Sequence, residues 1–124
     1  MNIGLNYTSV ITVENSNTAL ALGSGDMEVF ATPAMVALME NAAMNAVAAH
    51  LEAGQTTVGS QITTTHIKPS ALGATITATA TLTAVEGRKL SFAVEAHDGE
   101  TLIGSGTHIR YIVDRERFLA KLPR

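Results

Sequence analysis

The sequence predicts an α+β fold in which one long helix is enclosed by a curved antiparallel sheet. Three observations predict it. The stretch FATPAMVALMENAAMNAVAAHLEAG, residues 30–54, is apolar round nearly every face of a helix, so other structure must wrap it. After Gly54 the apolar period changes from helical to two, and four strand-like segments follow. One further strand-like segment precedes the helix. At 124 residues the chain fits one domain, 1–124, around one hydrophobic core.

The elements follow in order. Residues 5–13, LNYTSVITV, alternate well enough for a first strand. Residues 14–25 are mixed, and NSNT and GSGD mark them as loop. Met27 to Ala31 reads as a short extended piece. Thr32 is a preferred N-cap residue and Pro33 suits the first helical position, so the helix is expected to start there. Gly54 is expected to end it as a left-handed cap. The run at 57–68 forms the next strand, with Val58, Ile62, Thr64 and His66 on one face. In 74–86, Ile76, Ala78, Ala80 and Leu82 face one way and threonines the other. Leu90, Phe92, Val94 and Ala96 share a face in 89–98, and 101–113 makes a last long strand. EGR at 86–88 and DGE at 98–100 are hairpin turns. The charged tail from Asp114 is expected to end in a short helix. Strand, loop, buried helix and four antiparallel strands together describe the hotdog arrangement.

Composition excludes several classes of function. The net charge is −3 and Lys and Arg form no cluster in sequence, which argues against a nucleic-acid surface. There is no cysteine, hence no disulfide framework, thiol nucleophile or cysteine-bound metal, and this is neutral to mildly favourable for a cytoplasmic location. The N-terminal residues lack a basic region followed by an apolar run, so no signal peptide is expected. Glu40, Asn41, Asn45 and His50 interrupt the apolar helix, which favours a core helix over a membrane span. No histidine pair has metal-ligand spacing and there is no GxSxG elbow.

Glu40 is the anomaly. A carboxylate among Val36, Met39, Ala43 and Met44 would be costly to bury unpaired. Burial would raise its pKa, which suits a base or nucleophile near neutral pH. A solvent-facing helix stripe or a structural ion pair would explain it equally well. Thr32 either caps the helix or aims its hydroxyl at a substrate carbonyl beside free backbone N–H groups. His66 is either a structural residue or a general base. His97 and His108 look weaker. Arg110 interrupts an apolar strand and is either an exposed edge charge or the partner of Glu40. Arg88 and Lys89, at a turn, offer weak evidence of phosphate contact.

FATPAMVALME, LEAGQTTVGSQITTTHIKPSALGATITATATL, AVEGRKLSFAVEAHDGE and IGSGTHIR together closely resemble the fluoroacetyl-CoA thioesterase group of hotdog proteins, over roughly residues 29–122. The resemblance implies an acyl-CoA thioesterase that is a homodimer with its site at the subunit interface. It implies Thr32, Glu40 and His66 as catalytic residues, Gly59 beside the thioester and Arg110 in support. Coenzyme A is then part of the substrate and no further cofactor is implied. ALGSGDMEV lacks the aromatic gate residues of the fluoroacetyl-selective member, so a more general short-chain acyl-CoA is expected. On a regular helix Thr32 and Glu40 lie about 12 Å apart along the axis and cannot bond directly, so convergence across two subunits is expected. Two other readings compete: a hydratase or dehydratase of acyl thioesters, and a non-catalytic acyl-binding module. The first normally pairs histidine with aspartate in another context, and the second leaves Glu40 unexplained.

Overall fold

A computed structural model describes residues 1–123. Five strands form one antiparallel sheet: β1 (Asn6–Thr12), β2 (Gln55–Thr64), β3 (Thr75–Glu86), β4 (Lys89–Asp98) and β5 (Thr101–Asp114). Their order in space is β1-β3-β4-β5-β2, so β1 and β2 are the sheet edges. Glycines in the left-handed region, Gly87 at φ 63° and Gly99 at φ 60°, close the hairpins β3–β4 and β4–β5. This conformation costs glycine little because it has no Cβ.

The long helix α2 (Thr32–Ala48) packs chiefly on β3 and β1. Met35, Met39, Ala42, Ala43 and Val47 are wholly enclosed. They meet Ile76, Ala78, Ala80 and Leu82 of β3, Leu90 and Phe92 of β4, and Ile103 of β5, all from the alternating inward face. At about 0.8 kcal/mol per buried methylene, this interdigitation is the main force closing the sheet on the helix. The expected threonine face of β3 points outward, where Thr79 Oγ1 shares a 2.8 Å hydrogen bond with Thr8 Oγ1 of the edge strand.

Several sequence expectations change. The helix is not wrapped all round, because Ala37, Asn41, Met44 and Ala48 form an exposed stripe at helical spacing. Thr32 is not the N-cap. Ala31 holds that position with extended backbone (φ −75°, ψ 139°) and no side-chain bond, and Thr32 is already the first helical residue. At the other end the helix stops at Ala48, where Ala49 is right-handed and its N–H bonds the Val47 carbonyl. Gly54, at φ 84°, instead closes the turn into β2. The stretch at 14–25 is not all loop: it holds a 3-10 turn at Asn15–Asn17 and a short helix α1 (Ala19–Leu22), capped by the Thr18 hydroxyl accepting from Ala21 N–H.

β2 differs most. It ends at Thr64, so His66 lies beyond the strand. A bulge between Gly59 and Gln61 shifts the register by one residue. An extra residue reverses which side chains face the core, so Thr57 and Ile62 both turn inward and Val58 does not share their face. Beyond the strand the chain stays on β5: Thr65 N–H donates to Ser105 O and Ile67 N–H to Ile103 O. Gly104 and Gly106 make that approach possible, since a Cβ on either would meet the backbone of residues 63–65. A last short helix, α3 (Arg115–Ala120), follows β5 as expected. Among the described residues no helix is long and apolar enough to cross a membrane.

Candidate active site

The residues singled out from the sequence fall into two groups. The first joins the start of α2 to the segment after β2. Thr32 Oγ1 lies 2.7 Å from His66 Nδ1, and either atom donates according to the imidazole tautomer. Freedom from capping explains this: the Ala31 cap leaves the Thr32 hydroxyl available, and the first N–H groups of the helix lack intrahelical partners. Phe30, buried just ahead of the helix, sets its ring edge against the His66 ring at 6.4 Å. His66 Nε2 is enclosed and has no hydrogen-bond partner among the described residues. Burial holds the His66 pKa below that of a free imidazole, with the Lys68 backbone acting in the opposite direction. A cavity of about 290 Å³ opens beside this pair, lined by Ala19, Ser24, Phe30, Thr32, His66 and Lys68 among others.

The second group surrounds Glu40. Arg110 Nη1 donates to Glu40 Oε2 at 3.4 Å. The two partners are unequal: the Arg110 side chain is 7% exposed and that of Glu40 41%. The carboxylate is therefore not buried within one chain: of the readings the helix pattern left open, the solvent-facing stripe and the ion pair both hold, because it projects toward the open edge at β2. The costly group is the guanidinium. Burial lowers the Arg110 pKa, and the Glu40 charge and hydrogen bond offset this. Further bonds hold Arg110: Nε donates to Thr57 Oγ1 at 2.9 Å and Nη2 to the Thr57 carbonyl at 3.0 Å. Arg110 is thus the Glu40 partner that the sequence offered, and the exposed-edge alternative is excluded. His66 is not bonded to Glu40.

His108 is the residue the sequence reading underrated. It is 2% exposed. Its Nδ1 lies 2.7 Å from the Gln61 carbonyl, which only accepts, so Nδ1 carries the hydrogen. Nε2 is then an acceptor and takes a bond from Arg110 Nη1 at 3.3 Å. Desolvation is the largest cause lowering the His108 pKa. The Gln61 carbonyl raises it, Arg110 lowers it further and Glu40 raises it. Its spacing of two from Arg110 on one strand was the available signal, because both must share a face.

Gly59 completes this group. It pairs with Arg110 across β2 and β5. A Cβ here would run into Glu40 Oε2 and press on His108 Cε1 at 3.2 Å and Arg110 Nη1 at 3.3 Å. The absent side chain makes room for the carboxylate. A cavity of about 180 Å³ lies against Glu40, Gly59, Ser60, Gln61, Ile62 and His108. It shares no lining residue with the cavity beside Thr32. Arg88 and Lys89 lie apart from both groups. The Arg88 guanidinium donates to the Ile112 carbonyl at 3.2 Å, whereas Lys89 sits opposite Tyr111 and alternates with the buried Leu90.

The model of the family described as fluoroacetyl-CoA-specific thioesterase matches residues 13–116. The chain belongs to the fluoroacetyl-CoA-specific thioesterase family. Membership of this thioesterase family makes it a thioester hydrolase, and the matched span takes in every site residue named above. The fluoroacetyl-CoA thioesterase of Streptantibioticus cattleyicolor is 50% identical over 95 residues, which cover 77% of this chain and 68% of the relative. A crystal structure of a mutant of the fluoroacetyl-CoA-specific thioesterase FlK, in complex with fluoroacetate and CoA, aligns with a TM-score of 0.89 at 42% identity, covering 95% of this chain and 99% of that one. A hot-dog-like protein from Thermanaerovibrio acidaminovorans shares the fold with a TM-score of 0.85 at 23% identity, covering 100% of this chain and 96% of its own. The hotdog fold expected from the element order is therefore the fold of this thioesterase family member.

Proposed function

We propose that this chain hydrolyses a short-chain acyl-CoA to the free acid and coenzyme A, as a homodimer, with Glu40, His66 and Thr32 carrying the chemistry. The observation that carries the reading is Glu40 itself. It is a half-exposed carboxylate in a largely apolar helix, paired with a buried arginine and given space by Gly59. A merely structural ion pair would not need a glycine opposite it or a cavity against it.

In the first step a Glu40 oxygen attacks the thioester carbonyl. The carbon–sulfur bond breaks, coenzyme A leaves as the thiolate, and an acyl–glutamyl anhydride remains. Water then attacks the anhydride, returning the Glu40 carboxylate and releasing the acid. The His66 imidazole accepts the proton from the attacking water and delivers it to the departed thiolate. The Thr32 hydroxyl and the uncapped start of α2 stabilise the carbonyl oxygen as it gains charge. In the variant of this mechanism without an anhydride, Glu40 draws the proton from water directly. Arg110 holds the Glu40 carboxylate in place in either case.

Dimerisation supplies what one chain lacks. The Thr32–His66 pair and Glu40 line separate cavities, and β2, which borders the Glu40 cavity, is an unpaired sheet edge. Pairing at that edge would bring Thr32 and His66 of one subunit toward Glu40 of the other. The small side chains Ala19 and Ser24 beside Thr32 support acceptance of short acyl groups without a requirement for fluorine. Arg88, and less directly Lys89, would meet the phosphates of coenzyme A.

The 2.7 Å contact between Thr32 and His66 favours one second reading, in which Thr32 is the nucleophile and His66 its base. One experiment addresses both. Short- and medium-chain acyl-CoAs are mixed with the enzyme while thiol release is followed, and quenched samples are analysed by mass spectrometry in ¹⁸O water. Label entering Glu40 supports the anhydride, and an acyl ester on Thr32 supports the second reading. No thiol release from any acyl-CoA would refute the function. Sedimentation giving a monomer at assay concentration would refute the interface site.

A further inference from the structure

His108 stands in series between β2 and the Glu40 ion pair. Its ring is enclosed and lies beside the ring of Phe92 on β4, with 6.1 Å between centroids. Nδ1 donates to the Gln61 carbonyl at 2.7 Å, where the bulge in β2 ends. Nε2 accepts from Arg110 Nη1 at 3.3 Å. The same Nη1 donates to Glu40 Oε2 at 3.4 Å. A guanidinium Nη carries two hydrogens, so one serves each acceptor. Among the described residues Arg110 is the only hydrogen-bond partner of the Glu40 carboxylate. His108 and Glu40 also line one cavity of about 180 Å³. Both ring nitrogens of His108 are engaged, so neither is free to take a proton from water or to attack a substrate.

We propose that His108 is a positioning residue for thioester hydrolysis: as the neutral Nδ1–H imidazole it fixes the plane of the Arg110 guanidinium, and that plane sets the direction of the Glu40 carboxylate. The inference rests on Glu40 as the reacting carboxylate and names what aims it. Geometry supports it. Arg110 Nε donates to Thr57 Oγ1 at 2.9 Å and Nη2 to the Thr57 carbonyl at 3.0 Å. Two contacts to one residue fix an edge of a planar group but leave it free to tilt about that edge. His108 takes Nη1, which lies off that edge, and removes the tilt. Glu40 is too exposed, at 41% of its side chain, to hold the guanidinium by itself. Electrostatics supports it too. An imidazolium here would turn a second donor and a second positive charge toward Nη1, so the arrangement requires the neutral ring. The Gln61 carbonyl selects the tautomer, and burial lowers the His108 pKa. The charged groups that face the ring are Arg110 on its own strand and Glu40 from α2, whereas β2 and β4 set Ile62 and Phe92 opposite it. An apolar side chain would fill the space beside Phe92 without desolvating an imidazole, but would leave Nη1 no acceptor on that side.

The test separates the two ring nitrogens. Asparagine reaches about as far as Nδ1 and keeps the donor to Gln61, while glutamine reaches about as far as Nε2 and keeps an acceptor for Arg110. Thiol release from acetyl-CoA gives kcat and KM for wild type, His108→Asn and His108→Gln, with thermal melts beside them. His108→Asn is expected to lower kcat by roughly tenfold or more with KM little changed, and His108→Gln to stay within about threefold of wild type. Equal kcat losses in both variants, following their losses of melting temperature, would make His108 a structural residue only and overturn the inference. Wild-type kcat in folded His108→Asn would overturn it as well. ¹⁵N NMR reads the arrangement without turnover. Nδ1 of His108 should carry the hydrogen near pH 7.5, and the Arg110 Nη signals should be resolved in wild type and His108→Gln but averaged by rotation in His108→Asn. A hydrogen on Nε2, or Arg110 signals indifferent to the variants, overturns the inference even where thiol release upholds Glu40. A Glu40→Gln enzyme with full turnover, by contrast, refutes the reading of Glu40 on which the inference rests.

Discussion

The hydroxyl of Thr32 lies 2.7 Å from Nδ1 of His66, a residue that follows a different element thirty-four positions later. The contact exists because Ala31, not Thr32, occupies the N-cap and because residues 63–67 are held on β5 by backbone bonds. Replacing Thr32 by valine keeps the shape and removes the hydroxyl. Thr32→Val is expected to lower kcat by roughly a hundredfold, whereas Thr32→Ser, which keeps the oxygen, stays within about tenfold. Steady-state thiol release on both variants checks this, and equal activities would show that the hydroxyl is not used.

Arg110 makes four polar contacts that only a planar fork can make together: Thr57 Oγ1, the Thr57 carbonyl, Glu40 and His108. Lysine keeps the charge but not the geometry. Arg110→Lys should therefore lower unfolding stability in urea by about 1–3 kcal/mol and cut kcat by at least tenfold. Wild-type kcat in a folded Arg110→Lys enzyme would show that Glu40 needs no positioning.

Gly59 has its value in the side chain it lacks. Gly59→Ala places a methyl on Glu40 Oε2, so the carboxylate must turn away. The expected outcome is a loss of about a hundredfold in kcat, with little change in melting temperature because residue 59 lies on the exposed edge strand. Gly106→Ala should behave in the opposite manner. Its Cβ would strike the backbone of Thr63 and Thr64, which cannot swing aside, so stability should fall by about 1–3 kcal/mol. Thermal melts beside kinetics separate the two.

Two partly or wholly desolvated histidines make stability depend on pH. In both His66 and His108 desolvation lowers the folded-state pKa below 6.5, so the folded protein binds these protons more weakly than the unfolded chain. Their contribution is complete above the unfolded value and is lost as the pH falls from about 6.5 through the folded values. Urea unfolding between pH 7.5 and about 5 should show falling stability, by at most about 1.4 kcal/mol per pH unit for each histidine. His108→Gln should reduce that slope. An unchanged slope in the variant would mean that His108 does not titrate in this range.

Local pattern and composition determined most of the architecture. The apolar helix, the period-two strands of β3 and β4, both hairpin turns and the α+β class follow from which side chains must be buried together, and a sequence shows that directly. It also put Glu40 forward as an anomaly and Arg110 as its partner, since a charge inside an apolar pattern needs compensation. Tertiary structure alone decided the rest. The bulge near Gly59 moved Thr57 and Ile62 onto one face, the end of β2 at Thr64 put His66 beyond the strand while backbone bonds on either side kept it against β5, and Ala31 took the cap so that Thr32 was left free to meet His66. His108 shares a strand face with Arg110 by its spacing of two, but its enclosure between Gln61 and Arg110 came only with the fold. These outcomes depend on register and on contacts between residues far apart along the chain, which local periodicity does not encode. The exposure of Glu40 is of the same kind: the helix pattern left burial and a solvent-facing stripe both open, and the open sheet edge beside β2 decided between them.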